Sequence, residues 1–209
     1  MIDQYGIYIA QINPIVGDIS GNLNLVRNVR KRAKEAGADL LVTTELVVSG
    51  YPPEDLILRP SFIKKLRGEV LAFIEETDDE GPAVALGVPW PEGDAIYNAT
   101  LVVNSGSIAA TYFKYNLPNY GVFDEKRVFV PGPLPGPINF RDVRLGVMVC
   151  EDMWDEEVSE CLKESGAEIL VVLNGSPYSL DKWEERLNLA VARVGETGLP
   201  IIYVNQVGG

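Results

Sequence analysis

AGADLLVTTE, residues 36 to 45, and SGAEILVVLN, residues 165 to 174, are the stretches that decide the fold. Each begins at the end of a predicted helix, turns at a glycine and continues as an apolar, β-branched segment typical of a buried strand. Because this helix-to-strand unit occurs twice, the sequence predicts a layered α/β sandwich. Strands joined by a crossing helix should be parallel in it.

Apolar runs predict eight strands, and helical periodicity between them predicts four helices. The strand runs are residues 5–11, 39–44, 83–88, 97–103, 107–113, 143–149, 168–173 and 200–204. The inward faces that we expect are Leu25, Val29, Ala33 and Ala36; Phe62, Leu66, Val70 and Phe73; Val158, Cys161, Leu162 and Ser165; and Leu187, Ala190, Val191 and Val194. Asp181 and Glu184 form a capping-box pattern before the fourth helix.

The composition indicates one domain over residues 1–209. A chain of 209 residues, 46% of them hydrophobic, can bury one core, and no linker or charge block divides it. The net charge of −12 disfavours nucleic acid and anionic lipid as partners. No stretch reaches the roughly 20 apolar residues that span a bilayer, and the first residues lack a signal-peptide pattern. We therefore expect a cytoplasmic protein that binds neither nucleic acid nor membranes.

The chain contains no histidine and two cysteines, Cys150 and Cys161. Two cysteines make neither a disulfide framework nor a zinc-binding pair, so we expect a reducing compartment and no metal site. The absence of histidine excludes Ser-His-Asp and Cys-His catalysis. Any group that transfers a proton here must be a carboxylate, a lysine, a tyrosine or a cysteine.

Three ionisable or nucleophilic residues stand where a predicted strand ends, namely Glu45, Lys114 and Cys150. If the strands share one sheet and direction, the three side chains emerge at its carboxyl edge, where α/β sheets place their ligands. A thiol, a carboxylate base and a fixed cation suffice for attack on an amide carbonyl. Lys114 and the amides after Cys150 would favour a thiolate, whereas the acidic residues 151–155 would oppose it.

Each of the three residues also has a purely structural interpretation. A cysteine after an apolar strand commonly packs as a small hydrophobic side chain. A glutamate in such a place can interact with a helix N-terminus or join an ion pair, and a lysine at a strand end is commonly solvated. The joint pattern, rather than any single residue, favours catalysis.

Four longer motifs resemble the nitrilase, or carbon-nitrogen hydrolase, superfamily. They are TTELVVSGYPPEDLILRPSF (43–62), YFKYNLPNYGVFDEKRVFVPG (112–132), GVMVCEDMWDE (146–156) and LNGSPYSLDKWEER (173–186). Within the superfamily they look most like the glutaminase domain of glutamine-dependent NAD synthetase. The similarity extends from AQINPIVGDISGN near the N-terminus to the final YVNQVGG, so it covers essentially the whole chain.

The resemblance implies a nitrilase-type α-β-β-α sandwich and a Glu-Lys-Cys triad whose members match Glu45, Lys114 and Cys150. It also implies that Glu125 is an auxiliary acid close to the triad. The structural alternative for Glu125 is an ion pair with its neighbours on a loop, residues 126–127.

For glutamine recognition the family pattern points to Tyr51, Tyr120, Ser176 and Lys182. The tyrosines would line the amino-acid pocket, and Lys182 would meet the α-carboxylate of the substrate. Their structural alternatives are half-buried loop anchors for the tyrosines and a solvated first-turn helix residue for Lys182.

The sequence departs from the family pattern in two places. Ser179 stands where relatives commonly have a histidine, so no role of that histidine is carried over. Family members continue beyond the NQVGG ending into strands that complete the fold, and NAD synthetases add an ATP-dependent domain with an SGGxDS motif. We therefore expect a fold truncated at the C-terminus. Exposed apolar surface left by missing strands would favour a homo-oligomer.

The resemblance thus implies a glutaminase that supplies ammonia to a synthetase domain or subunit for amidation of deamido-NAD. Glu45 would deprotonate Cys150, and Lys114 would hold the oxyanion formed from glutamine. Hydrolysis of the resulting thioester needs no metal or organic cofactor, whereas ATP and Mg would serve only the synthetase. Two alternatives are a stand-alone amidase for another small amide and a non-catalytic interaction module.

Overall fold

Two β-sheets lie face to face in the computed structural model, which describes residues 4–180 and 182–208. The first sheet contains, in spatial order, β1 (Ile7–Ile9), β2 (Leu40–Val42), β3 (Ala83–Glu92), β4 (Ala95–Asn104) and β5 (Ser107–Phe113). The second contains β6 (Ile138–Phe140), β7 (Val143–Val149), β8 (Ile169–Asn174) and β9 (Ile201–Asn205). The helices are α1 (Ile19–Glu35), α2 (Pro60–Glu75), α3 (Glu156–Glu164) and α4 (Lys182–Thr197).

Strand direction follows the connections between the strands. β1, β2 and β3 are parallel, with α1 and α2 in the crossovers, and β7, β8 and β9 are parallel, with α3 and α4 in theirs. The antiparallel pairs β3–β4, β4–β5 and β6–β7 are joined by short turns. Helix-to-strand units therefore give parallel neighbours in both sheets, as the repeated sequence unit predicts.

Three apolar cores hold the layers together, because successive side chains of a strand point to opposite faces. The outer face of the first sheet packs against α1 and α2 through residues such as Leu41, Val84 and Leu86. Its inner face packs against the second sheet, whose outer face packs against α3 and α4. Each fully buried Leu or Val side chain contributes roughly 1.5–3 kcal/mol. The order of layers is α-β-β-α, which confirms the predicted fold class.

Every predicted strand run contains a strand, and the structure adds one that the sequence analysis missed. This is β6, a three-residue strand directly after the Pro/Gly-rich residues 130–137. It is too short to show an alternating pattern. The predicted runs 5–11 and 39–44 are longer than β1 and β2, since both strands end after three residues.

The predicted inner face of α4 is wrong for three of its four residues. Leu187, Val191 and Val194 are exposed, whereas Ala190 packs towards the third core as expected. The fully buried positions are instead Arg193, whose guanidinium lies 2.9 Å from the Glu196 carboxylate, and Thr197. Both sides of this helix carry apolar residues, and periodicity alone does not decide which side meets the sheet.

The predicted faces of the other helices need smaller corrections. In α1, Val29 and Ala33 are buried, but Leu25 and Ala36 are exposed, and the stripe is completed by Ile19, Leu23 and Val26. In α2, Leu66, Val70 and Phe73 are buried and Phe62 is partly so. In α3, Val158 and Leu162 are buried, Cys161 is half-buried and Ser165 is an exposed residue after the helix. Asp181 of the predicted capping box lies outside the described residues.

Within the described part of the chain, none of the helices has the length and apolar character needed to cross a membrane.

Gly87 of β3 allows the segment after β2 to pass close to the sheet. A methyl group at this position would lie 2.2 Å from the carbonyl oxygen of Thr44 and 2.8 Å from the amide nitrogen of Leu46. The Gly87 amide also donates a hydrogen bond of 3.1 Å to the Thr43 hydroxyl. The backbone on both sides of Glu45 is therefore fixed by direct contact with β3.

Replacing Gly87 with Ala should destabilise the protein by about 1–3 kcal/mol, because the added methyl group must displace backbone rather than a flexible side chain. Urea denaturation measures the change in the free energy of unfolding. Gly68→Ala is the matched control, since the space around that α2 residue is open. The control should keep or raise stability, by up to about 1 kcal/mol. Equal stability of the two variants would contradict the packing argument.

Candidate active site

The three residues expected to act together come from strand ends of two different sheets. Glu45 follows β2 and Lys114 follows β5, both in the first sheet, whereas Cys150 follows β7 of the second. The expectation of one shared sheet edge is therefore wrong in this respect. Lys114 and Glu45 contact each other directly. Cys150 belongs to the core between the two sheets, and both charges act on the pKa of its thiol.

Lys114 is the centre of a buried ion cluster. Its Nζ donates to Glu45 Oε1 at 2.8 Å and to Glu125 Oε1 and Oε2 at 3.0 and 2.9 Å. The side chains of Lys114 and Glu45 have no exposed surface. Burial alone would lower the pKa of Lys114, but the carboxylates of Glu125 and Glu45 raise it well above its usual value. The ammonium is therefore charged at neutral pH.

Glu125 lies on the 3₁₀ turn Glu125–Arg127 and faces the cluster. Besides its bonds to Lys114, its Oε1 accepts a 3.0 Å hydrogen bond from the Tyr51 hydroxyl. Burial raises the pKa of this carboxyl group, and the Lys114 charge opposes the rise. Arg127 pairs with Asp124 on the outside of the loop rather than with Glu125. Glu125 is thus a buried member of the Lys114 cluster, and Arg127 is not its ion-pair partner.

Cys150 is held at a sharp bend between β7 and the 3₁₀ turn Cys150–Met153. Its φ of 46° is in the left-handed region, which is uncommon for a residue other than glycine and is concentrated at functional sites. The side chain is buried, and its Sγ lies 3.6 Å from the Ser176 hydroxyl. Ser176 in turn is 3.3 Å from the side-chain oxygen of Asn174 at the end of β8.

The thiol of Cys150 is neutral in this environment. Burial raises its pKa, the Glu45 carboxylate raises it further, and the Lys114 charge and the Ser176 hydrogen bond lower it only in part. The net shift is upward, so the thiolate that Lys114 and the following amides were expected to favour is not the resting form. The thiol needs a base before it can act as a nucleophile.

Glu45 has one engaged and one open carboxylate oxygen. Oε1 accepts hydrogen bonds from Lys114 and from Asn98, both at 2.8 Å. Oε2 is buried and has no hydrogen-bond partner among residues 4–180 and 182–208. Gly175 lies against it, and a methyl group there would be 2.9 Å from Oε2. Oε2 is therefore an acceptor that no protein group engages within the described residues, and the Glu45 charge acts on the Cys150 thiol by raising its pKa.

Asn98 is a site residue that the sequence analysis missed. Its Nδ2 donates to Glu45 at 2.8 Å and reaches Glu125 Oε2 at 3.5 Å, and its carbonyl oxygen accepts from the Lys114 amide at 2.8 Å. The signal in the sequence is one amide side chain within the apolar run 97–103. Asn98 links the two carboxylates to the backbone that carries the lysine.

The remaining predicted binding residues surround the ring of Phe123. Ring centroids of Tyr51 and Tyr120 lie 6.5 and 5.6 Å from that of Phe123. Lys182 Nζ lies 5.6 Å from the Phe123 centroid and 5.5 Å from that of Trp154, so its charge is placed between two aromatic faces. The Tyr120 hydroxyl donates to Glu151 at 2.8 Å, next to Cys150 in the chain. These side chains form one group, which we call the aromatic rim. Its members are Tyr51, Tyr120, Phe123, Trp154 and Lys182, whose ammonium lies against the rings.

No group of three or more Cys, Asp and Glu side chains within residues 4–180 and 182–208 has the geometry to hold a metal ion.

The fold and the site together define a class of protein. An α-β-β-α sandwich with a buried lysine, its glutamate partner and a cysteine at adjoining strand ends is the arrangement of a nitrilase-type protein. Residues 7–209 match the family model for carbon-nitrogen hydrolases, and the chain belongs to that family.

Relatives of known sequence support the same assignment. The chain is 40% identical over 209 residues to the glutamine-dependent NAD(+) synthetase of Rhodobacter capsulatus. It is 38% identical over 203 residues to that of Thermotoga maritima. These alignments cover 100% and 96% of this chain but 38% and 35% of the synthetases. The chain thus spans less than two fifths of the length of these relatives.

Solved structures of two kinds share the fold. Glutamine-dependent NAD+ synthetase from Acinetobacter baumannii, in complex with ADP, gives a TM-score of 0.92 at 35% identity, over 98% of this chain and 39% of that one. The NitN amidase from Nesterenkonia sp. AN1 gives 0.85 at 27% identity, over 99% of this chain and 80% of the amidase. The similarity to both extends over nearly all of this chain.

The upward pKa shift predicts how Cys150 reacts with a small thiol reagent in the absence of substrate. In a Cys161→Ala background, the rate of labelling by methyl methanethiosulfonate should rise with pH only above about 8.5, the value of an ordinary thiol. Ser176→Ala should move the midpoint to still higher pH, because it removes a hydrogen bond that lowers the Cys150 pKa. Mass spectrometry of the intact protein measures the rate. A midpoint at or below pH 8 would contradict a neutral resting thiol.

Proposed function

We propose that this chain is a glutamine amidohydrolase that supplies ammonia for the amidation of deamido-NAD. The observation that carries the proposal is the buried ion pair of Lys114 with Glu45 beside the neutral thiol of Cys150. This site occurs in a chain similar over its full length to glutamine-dependent NAD(+) synthetases. Hydrolysis of a carbon–nitrogen bond is the chemistry of the family. The choice of glutamine as the substrate is the more specific part of the proposal.

The first half of the proposed reaction forms a thioester. Glu45 takes the proton of Cys150 through its open oxygen, and the sulfur adds to the side-chain carbonyl carbon of glutamine. The carbonyl oxygen becomes an oxyanion, which the fixed charge of Lys114 stabilises. When the C–N bond breaks, the proton held by Glu45 passes to the leaving nitrogen. Ammonia leaves, and a γ-glutamyl thioester remains on the cysteine.

The second half hydrolyses this thioester. A water molecule takes the place of ammonia and loses a proton to Glu45 as its oxygen adds to the thioester carbonyl. Lys114 stabilises the second oxyanion in the same way as the first. The C–S bond then breaks, the proton returns to sulfur, and glutamate leaves. Neither half requires a metal ion or an organic cofactor.

The aromatic rim suits the amino-acid end of glutamine. Lys182 is its charged member, and its ammonium lies 5.6 and 5.5 Å from the centroids of two aromatic rings. Contacts with ring faces leave its N–H groups able to donate to an incoming α-carboxylate. Tyr51 and Ser176, proposed as binding residues from the family pattern, also contact Glu125 and Cys150, so they would orient reacting groups as well as substrate.

The ammonia acceptor would belong to a synthetase domain or a partner subunit. The Acinetobacter baumannii relative was solved with ADP, and this chain covers 39% of that protein. ATP and Mg would therefore be used outside the glutaminase site.

A homo-oligomer is also part of the proposal. It is supported by the exposed apolar side chains of α4, which include Trp183, Leu187 and Val191.

A stand-alone amidase is the second candidate. It is favoured by the Nesterenkonia sp. AN1 amidase, of which this chain covers 80%. In a structure of a variant of that amidase, the acetamide moiety of fluoroacetamide is covalently added to the active-site cysteine. Comparing kcat/KM for glutamine with that for a short aliphatic amide separates the candidates, since a pocket built for glutamine rejects the smaller substrate.

Cys150→Ala should abolish glutamine hydrolysis, and Glu45→Gln should lower kcat by about 10²- to 10⁴-fold. In the Glu45→Gln variant, the new side chain keeps the oxygen that accepts from Lys114 and Asn98. It replaces the open carboxylate oxygen with an amide nitrogen. Release of glutamate, measured in single-turnover and steady-state experiments, is the readout. Cys161→Ala is the matched control and should keep wild-type activity. Normal hydrolysis by the Cys150→Ala protein would refute the mechanism, and inactivity of the wild type would favour the non-catalytic module.

Lys182→Met should raise KM for glutamine roughly 10- to 100-fold with little change in kcat, because a charge-assisted hydrogen bond is worth about 1.5–3 kcal/mol. Methionine keeps the contact with the two aromatic rings but removes the charge. Turnover of a short aliphatic amide, which has no α-carboxylate, should not change. Lys64→Met, on the exposed side of α2, is the matched control. A lower kcat for both substrates would show that Lys182 does not bind the carboxylate.

A further inference from the structure

Asp152, two residues after Cys150, is a fully buried carboxylate with four hydrogen-bond donors around it. Oδ1 accepts from the backbone amides of Tyr115 and Asn116 at 3.1 and 2.8 Å. Oδ2 accepts from the Tyr112 hydroxyl at 2.6 Å and from the Val149 amide at 3.0 Å. Both oxygens are thus fully engaged inside the protein, and the carboxylate has no exposed surface.

The donors lie directly beside two of the proposed catalytic residues. Tyr115 and Asn116 immediately follow Lys114, and Val149 immediately precedes Cys150. One carboxylate therefore holds the backbone after the lysine and the backbone before the cysteine at the same time. Because the lysine follows β5 and the cysteine follows β7, these bonds connect the two sheets.

Apolar packing alone does not fix the distance between two such strand ends. The core between the sheets is made of aliphatic and aromatic side chains, and burial of apolar surface is not directional. The backbone of Lys114 itself bonds to Asn98 and Gly132. A buried carboxylate with short bonds to both sheets supplies the missing directional constraint.

We propose that Asp152 is a positioning residue that sets the place of the Lys114 ammonium relative to the Cys150 thiol across the two sheets. The inference rests on the proposed function for its catalytic consequence. Asp152 acts through the backbone and does not touch the substrate.

The ionised form of Asp152 is the one that fits the site. Burial raises its pKa to about 6, and the surrounding hydrogen bonds oppose the rise, so the group is charged at neutral pH. An asparagine could keep the bonds to Tyr115 and Asn116 through its oxygen and donate to the Tyr112 hydroxyl. Its amide group would then face the Val149 N–H, which would lose its acceptor. Asp152→Asn thus loosens the cysteine side of the link and keeps the lysine side.

The kinetic test compares Asp152→Asn and Asp152→Glu with the wild type. We expect kcat for glutamine to fall about 10²-fold, as for a displacement of about 1 Å, with KM changed less than about twofold. Asp94→Asn, in the exposed β3–β4 turn, removes the same charge elsewhere and should keep both constants. An unchanged kcat, or a loss that appears equally in KM, would overturn the proposal. The proposal would also be overturned if circular dichroism showed that neither variant folds, because Asp152 would then be needed for folding itself.

A second readout does not depend on glutamine. The pH midpoint of Cys150 labelling, in the Cys161→Ala background, should fall in Asp152→Glu, which keeps the carboxylate charge but displaces the backbone before the cysteine. A displaced thiol moves away from the Glu45 carboxylate, which raises its pKa more than the Lys114 charge lowers it. A midpoint that rises or stays would overturn the proposal. If the wild type fails to hydrolyse glutamine, the proposed function is wrong, but this shift still tests Asp152.

Discussion

The structure depends on one buried ammonium group. Lys114 has no exposed surface, and removing its charge from water costs several kcal/mol unless the protein supplies partners of good geometry. Glu45 and Glu125 supply them at 2.8 to 3.0 Å, and Asn98 ties the two carboxylates to the same backbone. These partners come from distant parts of the chain. The ion cluster can exist only when the whole first sheet and the loop after it are in place.

The sandwich explains how such a cluster and Cys150 come to share one buried region. Strand ends of both sheets open into one buried space, and each sheet contributes a different kind of group. The first provides the charged residues, and the second provides Cys150 at its left-handed bend together with Ser176. Glycines remove the side chains that would obstruct this approach, as Gly87 does for the segment of Glu45 and Gly175 does for its open oxygen.

Much of the fold could be read from the sequence, because apolar runs and glycine turns are local signals. Glu45, Lys114 and Cys150 stand out for the same reason, since the ends of predicted strands are visible in a single chain. The sequence does not show that the three residues belong to two different sheets, because strand order depends on contacts between distant segments. The exposed side of α4 was also misassigned, since apolar residues such as Leu187 and Val191 occur on its outer face.

The polar contacts around the site were the least predictable part. Asn98 is a single amide in an apolar run, and nothing local shows that it faces two carboxylates. In the sequence Asp152 is only one of the acidic residues after Cys150, whereas in the structure its four donors include amides 36 and 37 residues away. The hydrogen bond from the Tyr51 hydroxyl to Glu125 joins residues 74 positions apart. Contacts of this range depend on the finished tertiary structure.

The pKa directions also explain how the proposed reaction proceeds without histidine. Lys114 stays protonated because two carboxylates raise its pKa, so it serves as a fixed charge and not as an acid. The raised pKa keeps the Cys150 thiol neutral, and in the proposed reaction Glu45 takes its proton. That transfer moves a negative charge from the carboxylate to the sulfur and leaves the total charge of the buried cluster unchanged. The unfavourable free energy of burying the charges is therefore part of the folding equilibrium. The chemical step only redistributes the charges near a preorganised cation.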